Sequence, residues 1–274
     1  MSKALAGATE RPPASLTLST FWLLIAKTLS FAGNIVLPLL IVRRFSQVEF
    51  GHYKQVFLAL GTANVLLPFG FGMTAFYFFP REPDRHRHVI FNVLLVYISV
   101  GTAAAATLAL FPSLLPVIFG DASLIHYSRF VAALIPLWIL SYLIELLPII
   151  HKEFTLAAVF IVASQMSRTV LFLIAATIFG TVKSLIIAAI IHCALQTVVL
   201  LRYVSSRLPG FWRCFDRKLL AAQISYALPL GYAGLIWMSQ YDLHNYFVSH
   251  SFGPAAFAIY SIGCFQIPLM GMLA

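Results

Sequence analysis

Charged side chains are scarce in this sequence. Only 10% of the 274 residues are Asp, Glu, Lys or Arg, against about a quarter in an average soluble domain. Long apolar runs take their place, with 61% hydrophobic residues and a mean hydropathy of +0.91. This composition excludes an ordinary soluble domain. It predicts an all-α polytopic membrane protein, because helices satisfy their own backbone hydrogen bonds in lipid.

Cysteine is scarce too, and no catalytic set stands out. Cys193, Cys214 and Cys264 lie far apart, which excludes a disulfide or zinc framework built on paired cysteines. His86 and His88 are a poor ligand set, and no Walker sequence or Ser/His/Asp set appears. We therefore expect no catalytic residue, no metal and no cofactor. The net charge of +9 comes from short loops between spans, so no nucleic-acid partner is predicted.

Apolar runs divide the chain into about eight transmembrane helices. Spans are predicted at about 18–42, 56–79, 89–110, 130–150, 154–179, 184–204, 219–248 and from 254 onward. A kink is predicted in the second span, at Pro68, Gly70 and Gly72. The predicted domains are a cytoplasmic tail (1–17), a first six-helix lobe (18–204), a basic cytoplasmic linker (205–218) and the first two helices of a second lobe (219–274). Since the sequence is still apolar at Ala274, we expect it to be C-terminally truncated.

The basic residues favour one orientation. With the N-terminus in the cytoplasm, 11 of the 18 Lys and Arg residues fall in inner segments and 5 in outer loops, Lys54 among them. The positive-inside rule therefore places the N-terminus in the cytoplasm. Arg43 and Arg44 argue the other way, because they lie in the first outer turn.

A short polar turn after the first span returns later in the chain. Residues 45–53, FSQVEFGHY, align without a gap on residues 252–260, FGPAAFAIY, so both Phe positions and the Tyr are kept. Each copy lies between the first and second spans of a set. Six spans separate the copies, and an even number returns the chain to the same side. The sequence therefore predicts two parallel lobes related by an axis along the membrane normal.

Three segments carry a resemblance to a known superfamily: RRFSQVEFGHY at 43–53, FGFGM at 69–73 and SYALPLG at 225–231. With the layout of spans, they resemble the O-antigen-type polysaccharide or oligosaccharide flippases of the multidrug/oligosaccharidyl-lipid/polysaccharide exporter superfamily. The resemblance implies a transporter of lipid-linked diphosphate sugars in the bacterial inner membrane. Its implied partners are that substrate, membrane lipids and other membrane proteins of polysaccharide assembly.

Ionisable residues inside spans form the candidate site, because a charge at mid-bilayer normally faces a bundle interior or a wet cavity. We predict that Arg168 and Gln165 in the fifth span and Lys27 and Asn34 in the first line a cavity for the diphosphate. Arginine offers phosphate a two-pronged donor and lysine a point charge. The alternative is that both cations pair with acids structurally or extend to a surface.

Two acidic residues prevent a purely cationic interpretation. Glu145 lies near the inner end of the fourth span and Asp242 near the outer end of the seventh. Each is a candidate gate or coupling residue, with an interfacial position as the alternative. Three tyrosines and a tryptophan near span ends are interpreted as interfacial anchors, and His192 as a hydrogen-bonded packing histidine. The anchors are Tyr142, Tyr203, Trp212 and Tyr246.

Two other functions stay open. A multidrug exporter of the same superfamily would need a dominant acidic site in the first lobe, whereas the first span offers Lys27. A membrane-embedded sugar polymerase or ligase would need a sizeable outer loop with catalytic groups. The largest outer loop, 111–129, carries only Asp121 and His126 as candidates.

Overall fold

A computed structural model describes residues 37–264, together with Ile25 and Thr28. Within these residues the chain is helical and contains no β-strand, which confirms the all-α prediction. Five of the described helices are long and apolar enough to cross a membrane. They are Pro83–Leu110, Ala122–Ile150, Phe154–Phe179, Val182–Arg207 and Arg217–Gly263.

The α-helices of the described part follow one another with short connections. They are α1 (Gln47–Leu66), α2 (Gly72–Arg81), α3 (His86–Leu110), α4 (Leu114–Phe119), α5 (Ile125–Ser141), α6 (Leu143–Ile150), α7 (Phe154–Ile174), α8 (Val182–Arg207) and α9 (Arg217–Gly263). Residues 37–42 are also helical, and a π-helical turn, Ala175–Phe179, extends α7. Short 3₁₀ turns lie at Pro83–Arg85, Ala122–Leu124 and Phe211–Arg213.

Three causes account for the difference between eight predicted spans and five. The predicted second span is α1 plus α2, interrupted at 67–71, where Phe69 and Gly70 have positive φ angles of 44° and 73°. The break confirms the predicted kink, and α1 is too polar to qualify as an apolar span. The predicted seventh and eighth spans run together as α9, and most of the predicted first span lies outside the described residues.

The polar turn after the first span is shorter than predicted, because Gln47 already begins α1. Ser46 caps this helix. Its Oγ accepts the N–H of Glu49 at 3.3 Å, and the Glu49 carboxylate accepts the N–H of Ser46 at 3.0 Å. Such a reciprocal capping box satisfies two backbone donors that a helix start leaves without partners.

The second copy of the turn also marks a helix start. Gly253, which aligns with Ser46, leaves the helical conformation at φ 78° and ψ 177°, so two helical segments meet there within α9. Pro254 follows as the first residue of the next segment, a position that proline favours because its missing N–H is not needed. Both aligned positions thus precede a helix by one residue.

The turns gather at two opposite ends of the bundle. The basic end comprises the turns at 82–85, 151–153 and 208–216, and the far end those at 43–46, 111–124 and 180–181. At the basic end, Arg207 Nη2 lies 2.6 Å from Glu153 Oε1. At the far end, His52 Nε2 lies 2.9 Å from Asp121 Oδ2. Chain segments predicted to share one side of the membrane therefore meet in space.

Helix α9 is joined to the preceding helices by buried polar side chains at both ends. Near the basic end, Gln223 Oε1 accepts Asn92 Nδ2 at 3.0 Å, and Gln223 Nε2 lies 3.3 Å from Thr74 Oγ1; all three residues are fully buried. Towards the far end, Gln55 Nε2 donates to Ser249 Oγ at 2.9 Å. These hydrogen bonds fix the register of α9 against α1, α2 and α3.

Candidate functional site

Arg168 lies on α7 and lines a cavity of about 150 Å³ between α5, α6, α7 and α8, here named the arginine cavity. Its Nη2 donates to Gln165 Oε1 at 3.0 Å, one helical turn earlier. Gln165 is 5% exposed and thus fixed by packing. The structure therefore brings together two of the predicted site residues. The cavity is lined by Trp138, Ser141, Tyr142, Glu145, Ser164, Gln165, Arg168, His192 and Cys193.

Glu145 belongs to the same cavity. It comes from α6, whose N-terminal neighbour Tyr142 also lines the wall. Both residues also line a larger space of about 410 Å³, the glycine cavity, which reaches the α1–α2 break and α9 through Gly70 and Gly231. Glu145 therefore lies where the two cavities meet, on the side of Arg168 that faces the basic end.

His192 takes part in the site more directly than sequence reasoning predicted. Its Nδ1 lies 3.2 Å from Ser167 Oγ, which agrees with a hydrogen-bonded histidine, but its ring also lines the arginine cavity. Trp138 and Ser141 were missed altogether. The signal was present in their spacing, because positions 138, 141, 142 and 145 recur as one helical face.

Asp242 lies in a different space. It lines the aspartate cavity, of about 410 Å³, between α1, the middle of α9 and the segment after Gly253. Lys54 lines the same cavity from α1, so its assignment to an outer loop was wrong; the polar turn ends before it. The predicted pair Lys27 and Asn34 lies outside the described residues.

Three tyrosines interpreted as interfacial anchors line cavities or form hydrogen bonds with neighbouring segments. Tyr142 lines both the arginine and glycine cavities. The Tyr203 hydroxyl donates to Glu153 Oε2 at 2.8 Å, and the Tyr246 hydroxyl donates to Thr62 Oγ1 at 2.7 Å. These contacts add to the anchor interpretation that a phenol near a span end is also bound by a neighbouring segment. Trp212, by contrast, is 56% exposed at the basic end.

A histidine cluster at the far end has the residues of a catalytic triad but the wrong geometry. Asp121 Oδ2 and Ser123 Oγ lie 2.9 and 2.8 Å from the same nitrogen, His52 Nε2. A Ser-His-Asp relay needs its serine and carboxylate on opposite ring nitrogens. The cluster therefore ties α1 to the segment before α5. In the described part of the chain, no group of three His, Cys, Asp or Glu side chains is placed to hold a metal.

Two titratable groups at the basic end have shifted pKa values. Burial lowers the pKa of His151, whose Nδ1 lies 2.9 Å from the Leu147 carbonyl and 3.1 Å from the Tyr203 hydroxyl. The N–H of Leu219, followed by that of Lys218, holds the pKa of Asp216 below its ordinary value. Asp216 thereby caps α9, and a deprotonated carboxylate at a helix start is stabilised by the helix dipole.

Comparison with known proteins adds one match. A family model described as polysaccharide biosynthesis protein matches residues 16–265, nearly the whole chain. A search of the curated proteins and a search of the solved structures found no match. The family match agrees with the resemblance of the turn at 43–53 and with the apolar helices of a multi-pass membrane protein. The chain belongs to the polysaccharide biosynthesis protein family.

Proposed function

We propose that this protein is a flippase-type transporter that moves a lipid-linked sugar diphosphate across the bacterial inner membrane by alternating access. The observation that carries the proposal is the arginine cavity, which Arg168 lines from roughly the middle of the apolar span Phe154–Phe179. A charge at that depth costs several kcal/mol unless it faces water, a counter-charge or a ligand. Family membership supplies the class of process, polysaccharide biosynthesis.

The hydrogen bond that holds the Arg168 guanidinium supports the choice of an anionic ligand. Gln165 holds one terminal nitrogen through a 3.0 Å hydrogen bond, which fixes the plane of the group. Arginine binds phosphate oxygens through two parallel N–H donors, so a fixed plane favours a diphosphate over a diffuse negative charge. We propose Lys27 and Asn34 of the first span as further cavity residues, because an ionisable side chain inside a span normally faces a bundle interior or a wet cavity.

Glu145 is proposed as the gate of this site. It shares the arginine cavity with Arg168 and also borders the glycine cavity, which lies closer to the basic end. A carboxylate there supplies negative charge near Arg168 when no substrate is bound. A diphosphate entering from the glycine cavity would compete for the same cation, so binding and opening would be linked through this acid. Asp242 is the second candidate gate or coupling residue, in its own cavity.

The two copies of the polar turn support a two-lobed mechanism. We propose a first lobe at 18–204, a linker at 205–218 and the start of a parallel second lobe at 219–274, with the basic end in the cytoplasm. The lobes would rock against each other around the glycine cavity, where Gly70 and the backbone of Gly231 pack closely together. The lipid tail would remain in the bilayer.

An enzymatic role finds less support at the far end. In the 111–129 segment, Asp121 accepts the Ser123 N–H at 3.0 Å and also binds the His52 ring, so its carboxylate is occupied structurally. A sugar polymerase or ligase therefore has a weaker basis here than a transporter. Bond formation between sugars by the purified protein would reverse this preference.

The proposal is tested by surface polysaccharide export in cells that depend on this gene. Arg168→Ala should abolish export with an unchanged amount of protein in the membrane. Arg168→Lys should retain part of the export, since lysine keeps the positive charge but lacks the two parallel N–H donors. Arg202→Ala is the matched control, because Arg202 is an exposed arginine near the end of α8. Normal export by Arg168→Ala would contradict the proposal.

A further inference from the structure

The aspartate cavity has a lining that the diphosphate site does not use. It holds a Lys, an Asp, an Asn and several aromatic rings between three helical segments. Its volume of about 410 Å³ lies within the range of about 300–1,000 Å³ that is typical of small-molecule sites. The aspartate cavity and the arginine cavity are neighbours. Phe57 lines the aspartate cavity and Trp138 lines the arginine cavity, and their ring centroids lie 5.6 Å apart in an edge-to-face arrangement.

Helix α9 presents this lining through regular spacing. Trp237, Tyr241 and Asn245 recur every four residues and form one face, with Asp242 beside them. The opposite side of the same turns carries Leu243, which is 62% exposed. An apolar side that faces outward and a mixed aromatic and polar side that faces a cavity are typical of a helix between lipid and a wet space.

The two rings on this face lie together and remain accessible. The Trp237 and Tyr241 ring centroids are 4.6 Å apart with an interplanar angle of 31°. Their exposed fractions are 53% and 37%. A protein core would cover such a pair, so its accessible faces leave room for a flat apolar ligand surface.

The polar groups around the rings supply both donors and acceptors. Asp242 accepts, Lys54 donates, and Asn245 does both. Among the described residues, no ion pair within 4.0 Å joins Lys54 to Asp242. A cationic ligand is disfavoured by Lys54 and an anionic ligand by Asp242. A neutral ligand rich in hydroxyl groups fits both charges, since hydroxyls donate to the acid and accept from the ammonium.

We propose that the aspartate cavity is the subsite for the sugar part of the substrate. One pyranose ring would lay its C–H face on Trp237 and Tyr241, while its hydroxyls bond to Asp242, Asn245 and Lys54. This inference rests on the proposed function and deepens it, because it separates sugar recognition from diphosphate recognition at Arg168. The sugar subsite then determines which glycan is moved, and the arginine cavity serves all diphosphates alike.

The test is saturation-transfer NMR on the purified protein in nanodiscs, with two kinds of soluble probe. The first is a panel of neutral monosaccharides: glucose, galactose, rhamnose and N-acetylglucosamine. The second is inorganic pyrophosphate. At least one monosaccharide should bind, Trp237→Ala should weaken it about tenfold, and Asp242→Asn should weaken it too. Leu243→Ala, on the outward side of the same helix, should leave binding unchanged. Trp237→Phe, which keeps a ring, should retain most of the affinity and guards against a folding defect.

The two sites should respond independently. Arg168→Ala should abolish pyrophosphate binding and leave monosaccharide binding intact, whereas Trp237→Ala should weaken monosaccharide binding about tenfold and leave pyrophosphate binding intact. Absence of binding by every monosaccharide, or binding that survives Trp237→Ala, would overturn the sugar subsite. Binding of the aromatic cation tetraphenylphosphonium at Asp242 in place of sugar would also overturn it. If any of these results is found while Arg168→Ala still loses export, the sugar subsite fails and the transporter proposal stands.

Discussion

Gly51 of α1 packs directly against the backbone of Pro254 in α9. A methyl group at Gly51 would collide with the Pro254 carbonyl group. Gly51 lies in the first copy of the repeated turn and Pro254 in the second, so the two copies touch each other. Phe50 and Phe257, which the alignment pairs, are 0% and 2% exposed. The interface between the two parts of the chain is thus built from the segments that the sequence repeats.

Gly51→Ala should therefore destabilise the protein. Overpacking a filled site costs about 1–3 kcal/mol, and here the obstacle is backbone, which cannot rotate away. The measurement is the thermal unfolding midpoint of the purified protein in detergent. Gly61→Ala is the control, because Gly61 lies in the same helix and no atom of the described residues is within 4 Å of an added methyl. Equal midpoints for the two variants would show that the close contact with Pro254 does not contribute.

Replacing the Gln223 side-chain amide by an apolar group should destabilise the protein. Gln223→Leu leaves the buried Asn92 and Thr74 side chains short of partners, at a cost of about 1–3 kcal/mol. The unfolding midpoint should fall, and limited proteolysis should cut the 208–216 connection faster. Gln240→Leu, an exposed glutamine on the same helix, should change neither. An unchanged proteolysis rate in Gln223→Leu would mean that this network does not hold α9 in place.

Removing His52 should loosen the far end of the bundle. His52→Ala leaves the Asp121 carboxylate, whose side chain is 12% exposed, without its partner on α1. Hydrogen exchange should then accelerate across the 111–124 segment by about fivefold or more, since such a loss costs about 1–3 kcal/mol. His126→Ala removes an exposed histidine nearby and should have no effect. Equal hydrogen-exchange rates across 111–124 in the two variants would show that the His52 cluster does not hold this segment against α1.

His151 should make stability depend on pH. Burial lowers its pKa in the folded protein below the ordinary 6.5, and its Nε2 has no hydrogen-bond partner in the described part of the chain. The unfolded chain therefore binds the proton more readily. The stabilisation is present above pH 6.5 and is lost as the pH falls through the folded pKa.

The measurement is the unfolding midpoint between about pH 7.5 and pH 5. Wild-type protein should lose stability over this range, and His151→Gln should lose less. The two profiles should differ most at the acid end. Parallel profiles would show that another group causes the pH dependence.

Much of the fold could be predicted because lipid leaves few alternatives. Apolar runs had to be helices, and Pro68 with Gly70 had to interrupt one of them. Boundaries were less accurate where polar residues continue a helix. The stretch from Gln47 to Lys54 looked like a loop, but its capping box and buried partners keep it helical.

The candidate site was predictable only where charge marked it. Arg168 and Gln165 were found because a cation within an apolar run needs an explanation. Trp138 and Tyr142 were not, since aromatic residues are common in spans and only packing shows which of them face a cavity. The same limit hid Trp237 and Tyr241. Their partner Asp242 was noticed, but the sequence does not show that it lines a cavity separate from that of Arg168.

The most direct measurement of the proposed activity is transport by the purified protein in liposomes. Lipid-linked diphosphate sugar would be incorporated, and its appearance in the outer leaflet followed with a membrane-impermeant lectin. We predict protein-dependent movement with the lipid-sugar bond intact, and loss of that movement in Arg168→Ala but not in Arg202→Ala. Movement that is unchanged in Arg168→Ala, or release or joining of sugars in place of movement, would contradict a flippase centred on Arg168.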